Sequence, residues 1–300
     1  MTDSLVDTSP RQVGSHTVGP LAYGLWRFET SDIDEATELI ETALDAGMNL
    51  IDTADIYGFD GSEGSFGTVE DRLGKVLAAK PELRSRMVLA TKGGITPPTP
   101  YDSSPAYLRQ ATEDSLRRLG VDHIDLYQVH RPDMFTHPAE VASTLTALLN
   151  ENKIGAVGVS NHTVAQTRAL QAHLDVPIVS TQPEYSAANL DPLRDGTFDL
   201  CMELGMASLA WSPLGGGRIP TGVDVPIPLI EVLDGLADRE GASRADVAIA
   251  FVLAHPARPV AILGTQNLER IRSAEAALKV NLDRNDVYDI VEASEGVPLP

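Results

Sequence analysis

The chain has 300 residues, 43% of them apolar, enough for a sizeable core and inconsistent with a disordered or fibrous protein. Acidic residues outnumber basic ones by 43 to 23, and the resulting charge of −20 repels nucleic acid and anionic lipid. No apolar run approaches the roughly 20 residues of a membrane span, the start Met1-Thr2-Asp3-Ser4 lacks signal-peptide character, and the lone Cys201 cannot form an internal disulfide; a cytoplasmic protein is expected.

Short apolar strands alternate with amphipathic helices from end to end. The first strand is expected near 18–24 and the first helix over 32–46, with Ser31 suited to its N-cap and Gly47 to the position after its C-cap. Leu50-Ile51-Asp52 reads as the second strand, with a helix around 69–79 after it. The third strand, 88–91, leads to a helix over 104–119, and the fourth, 124–129, to a helix over 138–151. A strand at 156–160 and a helix at 164–174 continue the series. Strands near 179–182 and 208–211 follow, then helices at 230–239 and 245–253, a strand at 260–263 and a helix from Leu268.

About eight strands, most of them followed by a helix, imply a parallel sheet. In a chain of this length they favour the class α/β and a closed (β/α)8 TIM barrel, typically about 250 residues, with residues 1–300 as one domain. An open doubly wound sheet would carry Gly-x-Gly-x-x-Gly after its first strand. Here that strand ends in Tyr23-Gly24-Leu25-Trp26, and the later Gly215-Gly216-Gly217 has the wrong spacing.

The C-terminal ends of barrel strands build the active site, so the ionisable residues there are the informative ones. The second strand delivers Asp52 and, five residues on, Tyr57; the third runs straight into Lys92; the fourth runs into His130 and Arg131. Lysine occurs only at 75, 80, 92, 153 and 279, which makes its appearance at a strand end notable. Each residue has a bland reading taken alone: a helix-capping Asp, a packed Tyr, a solvated Lys, a structural His. Four of them from three consecutive strands on one face are hard to assign to packing. Together they suit carbonyl reduction, which needs a hydride from a cofactor and a proton for the developing alkoxide. Lys92, held by Asp52, is expected to lower the pKa of the Tyr57 phenol from its ordinary value near 10, and His130 to orient the carbonyl oxygen. Metal-assisted hydrolysis is the rival for a His/Asp site in a barrel, but no His-x-His pair or Cys cluster is present.

The segment Gly47-Met48-Asn49-Leu50-Ile51-Asp52-Thr53-Ala54-Asp55-Ile56-Tyr57-Gly58 resembles a signature of the aldo-keto reductase superfamily, and the likeness covers nearly the whole chain. The resemblance implies a catalytic tetrad of Asp52, Tyr57, Lys92 and His130, and an extended nicotinamide cofactor bound without a Rossmann motif. Ser160, Asn161 and Gln182 are implied at the carboxamide, and Trp211 stacked on the nicotinamide. Gly24, Leu25 and Trp26 fall in the turn beside the nicotinamide, and Ser212, Leu214 and Gly215 around the pyrophosphate. Gly264, Thr265, Gln266 and Arg270 resemble the adenosine-phosphate site, where a helix opening near Leu268 and the Arg270 guanidinium suit the 2′-phosphate of NADPH (NADP+). Gly264 replaces a lysine of many relatives, which keeps NADH open as the less favoured cofactor.

Within the superfamily the chain resembles a bacterial subgroup with Tyr-Gly-x-Trp-Arg near the start and His-Arg-Pro-Asp after the fourth strand. The segment 59–66 lengthens the loop after Tyr57, and the ending Gly296-Val297-Pro298-Leu299-Pro300 leads us to expect no long C-terminal loop and an open pocket. Trp26, Tyr57, His130 and Arg131 would then meet the substrate, a small polar or sugar-derived aldehyde, although Arg131 can equally pair with Asp133 at the surface. No nucleic-acid or membrane partner is expected, and the oligomeric state is not readable. The alternative function is an NADPH-binding sensor or scaffold with little turnover, as the β-subunits of potassium channels resemble reductases.

Overall fold

The computed structural model describes residues 4–299. An antiparallel hairpin, β1 (Arg11–Val13) and β2 (His16–Val18), comes first. Eight parallel strands then close a barrel: β3 (Leu21–Gly24), β4 (Leu50–Asp52), β5 (Val88–Gly93), β6 (Leu126–Val129), β7 (Val157–Ser160), β8 (Ile178–Gln182), β9 (Ala207–Ala210) and β10 (Val260–Leu263), with β10 pairing back onto β3. Around them run the helices α1 (Ile33–Asp45), α2 (Thr68–Ala79), α3 (Pro105–Leu119), α4 (Pro138–Asn150), α5 (Val164–Gln171) and α6 (Thr197–Leu204). They continue with α7 (Arg218–Thr221), α8 (Ile227–Glu240), α9 (Arg244–Leu253), α10 (Leu268–Ser273) and α11 (Arg284–Glu295). The expected (β/α)8 barrel is the architecture observed.

Side chains alternate inward and outward along each strand. Outward residues such as Tyr23, Ile51, Leu89 and Tyr127 pack into the layer beneath the helices. Inward residues Ala22, Leu50, Val88, Ala90, Leu126, Leu209 and Ile262 form a separate apolar plug with Val13 and Val18 of the hairpin, which seals the N-terminal mouth. Continuing each inward row by one step of two replaces Leu50 with Asp52, Ala90 with Lys92 and Leu126 with Gln128. The interior therefore turns from apolar to polar toward the C-terminal end. Gly158 lies in this layer because a Cβ there would come within 2.2 Å of Ser180 Oγ and 2.9 Å of Gln128 Cγ.

Several elements differ from the sequence expectations. The opening strand breaks at Gly19-Pro20: Val18 ends the hairpin and Leu21 begins the barrel. The chain passes so close to Gly47 there that a Cβ on Gly19 would lie 2.4 Å from its carbonyl oxygen. The N-cap of α1 is Asp32, whose carboxylate accepts from the amides of Asp34 and Glu35, and not Ser31. Gly47 does follow the C-cap, at φ 80°. Helix α6 has no counterpart among the expected elements; it is eight residues long and bounded by left-handed Gly196 and Gly205. The helix expected from Leu268 is the six-residue α10, a 3-10 helix over Ala274–Lys279 and then α11. Among the described residues no helix is long and apolar enough to cross a membrane.

Candidate active site

Strand register places the polar inward residues on neighbouring strands. Lys92 pairs with Gln128, Gln128 with Gly158, and Ser160 with Gln182. The buried ammonium of Lys92 has three hydrogens and three acceptors: Asp52 Oδ2 at 2.8 Å, the carbonyl oxygen of Thr53 at 2.8 Å and the phenol oxygen of Tyr57 at 3.0 Å. Asp52 Oδ1 accepts from Gln182 Nε2 at 2.9 Å and more weakly from Gln128 Nε2 at 3.5 Å. Tyr57 is brought to Lys92 by a tight turn after β4, in which its amide donates to Ala54 O. Gly58 completes that turn at φ 89°, where a Cβ would strike Thr68 Oγ1.

Burial pushes the Tyr57 pKa up, and Asp52 adds to the rise; Lys92 and Arg131 pull it down without cancelling it. The expectation that Lys92 lowers the phenol is therefore met in its sign but not in the balance, because burial outweighs one ammonium whose charge Asp52 already offsets. Lys92 itself is lowered by burial, but Asp52 and Tyr57 raise it by more, so it stays an ammonium at neutral pH. His130 follows β6, its amide donating to Gly93 O, and its ring centre lies 6.0 Å from that of Tyr57. Burial, aided by Lys92 and Arg131, holds His130 well below the ordinary histidine range. A neutral imidazole with a buried, unpartnered Nδ1 is left to offer one donor.

Trp26 is 67% exposed and meets Tyr57 edge-on at 5.3 Å. Arg131 is half-buried and has no carboxylate within 4.0 Å among the described residues. The alternative partner Asp133 is engaged elsewhere, accepting from Ser103 N, Phe135 N and Thr136 Oγ1.

Ser160, Asn161, Gln182 and Trp211 form one hydrogen-bonded shelf. Trp211 Nε1 donates to Asn161 Oδ1 at 3.0 Å, Asn161 Nδ2 to Ser160 Oγ at 2.8 Å, and Ser160 Oγ to Gln182 O at 3.0 Å. Next to it, Ser212, Gly215, Gly216 and Gly217 all have positive φ, and a Cβ on Gly216 or Gly217 would meet open space. Leu214 is partly buried against the core. Gly24 is required by packing, since a Cβ would lie 2.6 Å from Ile262, and the Leu25 side chain is fully buried, so only its backbone can face the cleft. At the far end, Tyr23 OH donates to Thr265 O and accepts from Gln266 Nε2, while Gln266 Oε1 is buried without a partner. Gly264 is close only to Gly24 O, and Arg270 is exposed on α10, where Asn267 Oδ1 already caps its amide. One of the opening amides of α10, that of Arg270, is therefore already taken.

Three residues of this face escaped the sequence reading. Gln128 is two residues before His130, on the same inward row, and a strict alternation count would have found it. Arg27 Nη2 donates to Gly216 O at 3.2 Å and Arg218 Nε to Gly215 O at 2.9 Å, both on the glycine loop. Although acidic residues are in excess, Arg27, Arg131, Arg218 and Arg270 all lack a carboxylate within 4.0 Å among the described residues. The other basic residues in that condition, Arg72, Lys75 and Arg284, lie on α2 and α11.

A sequence profile of the Aldo/keto reductase family matches residues 20–295. The chain belongs to that family. It is 47% identical to a 6-dehydroglucose reductase of Novosphingobium aromaticivorans over the full length of both proteins. It is 35% identical to a 6-dehydroglucose reductase of Agrobacterium fabrum, over 92% of this chain and 94% of that one. A crystal structure of the thermostable aldo-keto reductase Tm1743, solved with the inhibitor epalrestat, superposes with a TM-score of 0.82 at 25% identity, covering 95% and 99% of the two chains. The protein is thus an oxidoreductase of a family that acts on small carbonyl compounds with a nicotinamide cofactor. The cleft's features fit such a dinucleotide: a polar shelf, an open glycine loop, a buried unpartnered Gln266 oxygen and arginines without carboxylates.

Proposed function

We propose that this protein is an NADPH-dependent reductase of small polar or sugar-derived aldehydes, with Tyr57 as the proton donor. One observation carries the reading. The Tyr57 oxygen accepts the third hydrogen of Lys92, and among the described residues the phenol donates to none, so its own hydrogen is left for a ligand, beside the rings of Trp26 and His130. When bound, NADPH would supply the hydride that no side chain can. Ser160, Asn161, Gln182 and Trp211 would hold its nicotinamide end, the loop of Ser212, Leu214 and Gly215 its pyrophosphate, and Thr265, Gln266 and Arg270 its adenosine end. The turn of Gly24, Leu25 and Trp26 and the open face of Gly264 would border it.

His130 donates a hydrogen bond to the carbonyl oxygen and fixes its position. As charge develops on that oxygen it becomes a far stronger base than a phenolate, and Tyr57 releases its proton to it. Lys92 then faces a phenolate and stabilises it, while Asp52 keeps the ammonium in place. A raised phenol pKa serves this order of events, because Tyr57 stays protonated until an alkoxide is present. The names of the two curated relatives support a hexose carrying an aldehyde at C6 as substrate. Arg131 and Trp26 then supply a donor and an aromatic face to its hydroxyls and C–H edge.

The described residues form one barrel, which supports the reading of the chain as a one-domain enzyme. The test is purified protein with NADPH and 6-dehydroglucose, following loss of nicotinamide absorbance. Oxidation above the no-enzyme rate is expected. Tight NADPH binding with no turnover on any of a panel of aldehydes would overturn the reading and favour a sensor.

A further inference from the structure

Gln182 does more in this structure than border the shelf. Its main-chain oxygen accepts from Ser160 Oγ at 3.0 Å and from the amide of Asn161 at 3.1 Å. Its side-chain amide turns the other way, into the barrel, and donates to Asp52 Oδ1 at 2.9 Å. The second oxygen of Asp52 accepts from Lys92, and Lys92 donates to Tyr57. All four side chains are buried. The other contact of Asp52 Oδ1, from Gln128 at 3.5 Å, is at the outer limit of a hydrogen bond.

We propose that Gln182 is a positioning residue for proton donation, acting on Tyr57 through Asp52 and Lys92; this rests on the reading of Tyr57 as the acid. A carboxylate that accepts a hydrogen bond holds its charge less tightly concentrated and attracts its counter-ion less. With the Gln182 amide in place, Asp52 shares its charge between an amide and the ammonium. Lys92 is then left with more positive potential to direct at the phenol oxygen. Without that amide, Oδ1 keeps only the long Gln128 contact and Asp52 draws Lys92 toward itself. The phenolate left by proton transfer loses support, and the Tyr57 proton is held more tightly. Arg131 and His130, the other charged or titratable groups facing Tyr57, make no hydrogen bond to Gln182. The same residue joins the shelf to the acid.

The experiment compares Gln182→Met and Gln182→Asn with Ser160→Ala, which loosens the shelf without touching Asp52. In cofactor-free protein, the nitrogen NMR signal of the Lys92 ammonium, identified by its absence in Lys92→Met, shifts in both Gln182 variants and stays put in Ser160→Ala. At saturating NADPH, the alkaline limb of the kcat profile moves up by about half a pH unit or more in the Gln182 variants, and kcat at neutral pH falls about threefold. Ser160→Ala raises KM for NADPH and leaves the limb unmoved. An unmoved Lys92 signal or an unmoved limb in a folded Gln182 variant overturns the proposal, as does Ser160→Ala reproducing both effects. The asparagine variant, too short to reach Asp52, serves if the methionine variant fails to fold. Absence of turnover in the wild type overturns the reading of Tyr57 instead, and the Lys92 signal still tests the Gln182–Asp52 link by itself.

Discussion

The Lys92 ammonium lies 3.0 Å from the Tyr57 oxygen and donates to it, while Asp52 and Thr53 take its other two hydrogens. A saturated ammonium cannot rotate away from the phenol without breaking a buried hydrogen bond. The pair is therefore preset before any ligand arrives.

Replacing Tyr57 by Phe removes the proton donor and keeps the ring that packs against Trp26. Reduction should fall by at least the roughly 10²–10⁴-fold typical of losing a general acid, with NADPH affinity by calorimetry nearly unchanged. Loss of NADPH binding would mean that Tyr57 serves the fold.

Lys92→Met removes an influence that lowers the Tyr57 pKa and leaves the charge of Asp52, which raises it. Both changes have the same sign. The alkaline limb of the rate profile should move to higher pH or leave the accessible range, with a lower rate throughout. An active variant with an unaltered profile would contradict the coupling.

Arg270→Ala should weaken NADPH binding by about 1.5–3 kcal/mol, the worth of a hydrogen bond to a charged group, and leave NADH almost unaffected. The 2′-phosphate is the one difference between the two cofactors. Equal losses would assign Arg270 to the fold or to the shared part of the dinucleotide.

A stability prediction comes from behind the catalytic face. Glu70 is fully buried, accepts from Thr91 Oγ1, and faces Arg118 at 2.7 Å. Arg118→Met strands that carboxylate, and unfolding in denaturant should show a loss of about 3–5 kcal/mol near pH 8. Burial already raises the Glu70 pKa, and Arg118 limits the rise. Without Arg118 the folded-state pKa climbs further above the unfolded one, so the variant is favoured at low pH and loses stability as pH rises. The deficit should be smaller at about pH 5 than at pH 8. A deficit independent of pH would show that packing, and not charge, is what Arg118 supplies.

For substrate, kcat/KM should rank 6-dehydroglucose and glyceraldehyde above a nitrobenzaldehyde and a ketosteroid. A ketosteroid preferred by about tenfold, roughly 1.4 kcal/mol in transition-state binding, would overturn the polar pocket and leave membership of the family untouched.

The barrel and the convergence of Asp52, Tyr57, Lys92 and His130 were legible because both depend on local pattern. Strands declare themselves by apolar runs, and the polar residue that ends each run must lie at one mouth of a parallel barrel. What escaped depends on distance in space. The direction of the Tyr57 shift comes from summing burial against Lys92, Asp52 and Arg131, and only burial, which the chain does not spell out, tips it upward. The Arg131–Asp133 pairing was open because two adjacent-looking charges can turn apart, as Ser103 and Thr136 draw Asp133 away. Helix α6 was hidden because it opens at Gly196 with no side-chain cap, unlike the equally short α5 with its Thr163 cap, and the cap at Asp32 by a neighbouring serine of equal propensity.

The chain contains two tryptophans, Trp26 and Trp211, one beside Tyr57 and the other bonded to Asn161. Indole emission excited beyond the tyrosine band therefore originates wholly at the candidate site. Reduced nicotinamide absorbs in the region where indole emits, so docking on the shelf should quench this light and transfer it to the longer-wavelength glow of the dinucleotide. A titration in a cuvette can then read occupancy with no label. In a heat or denaturant ramp the same signal would follow the catalytic mouth, while the sealed opposite end stays dark.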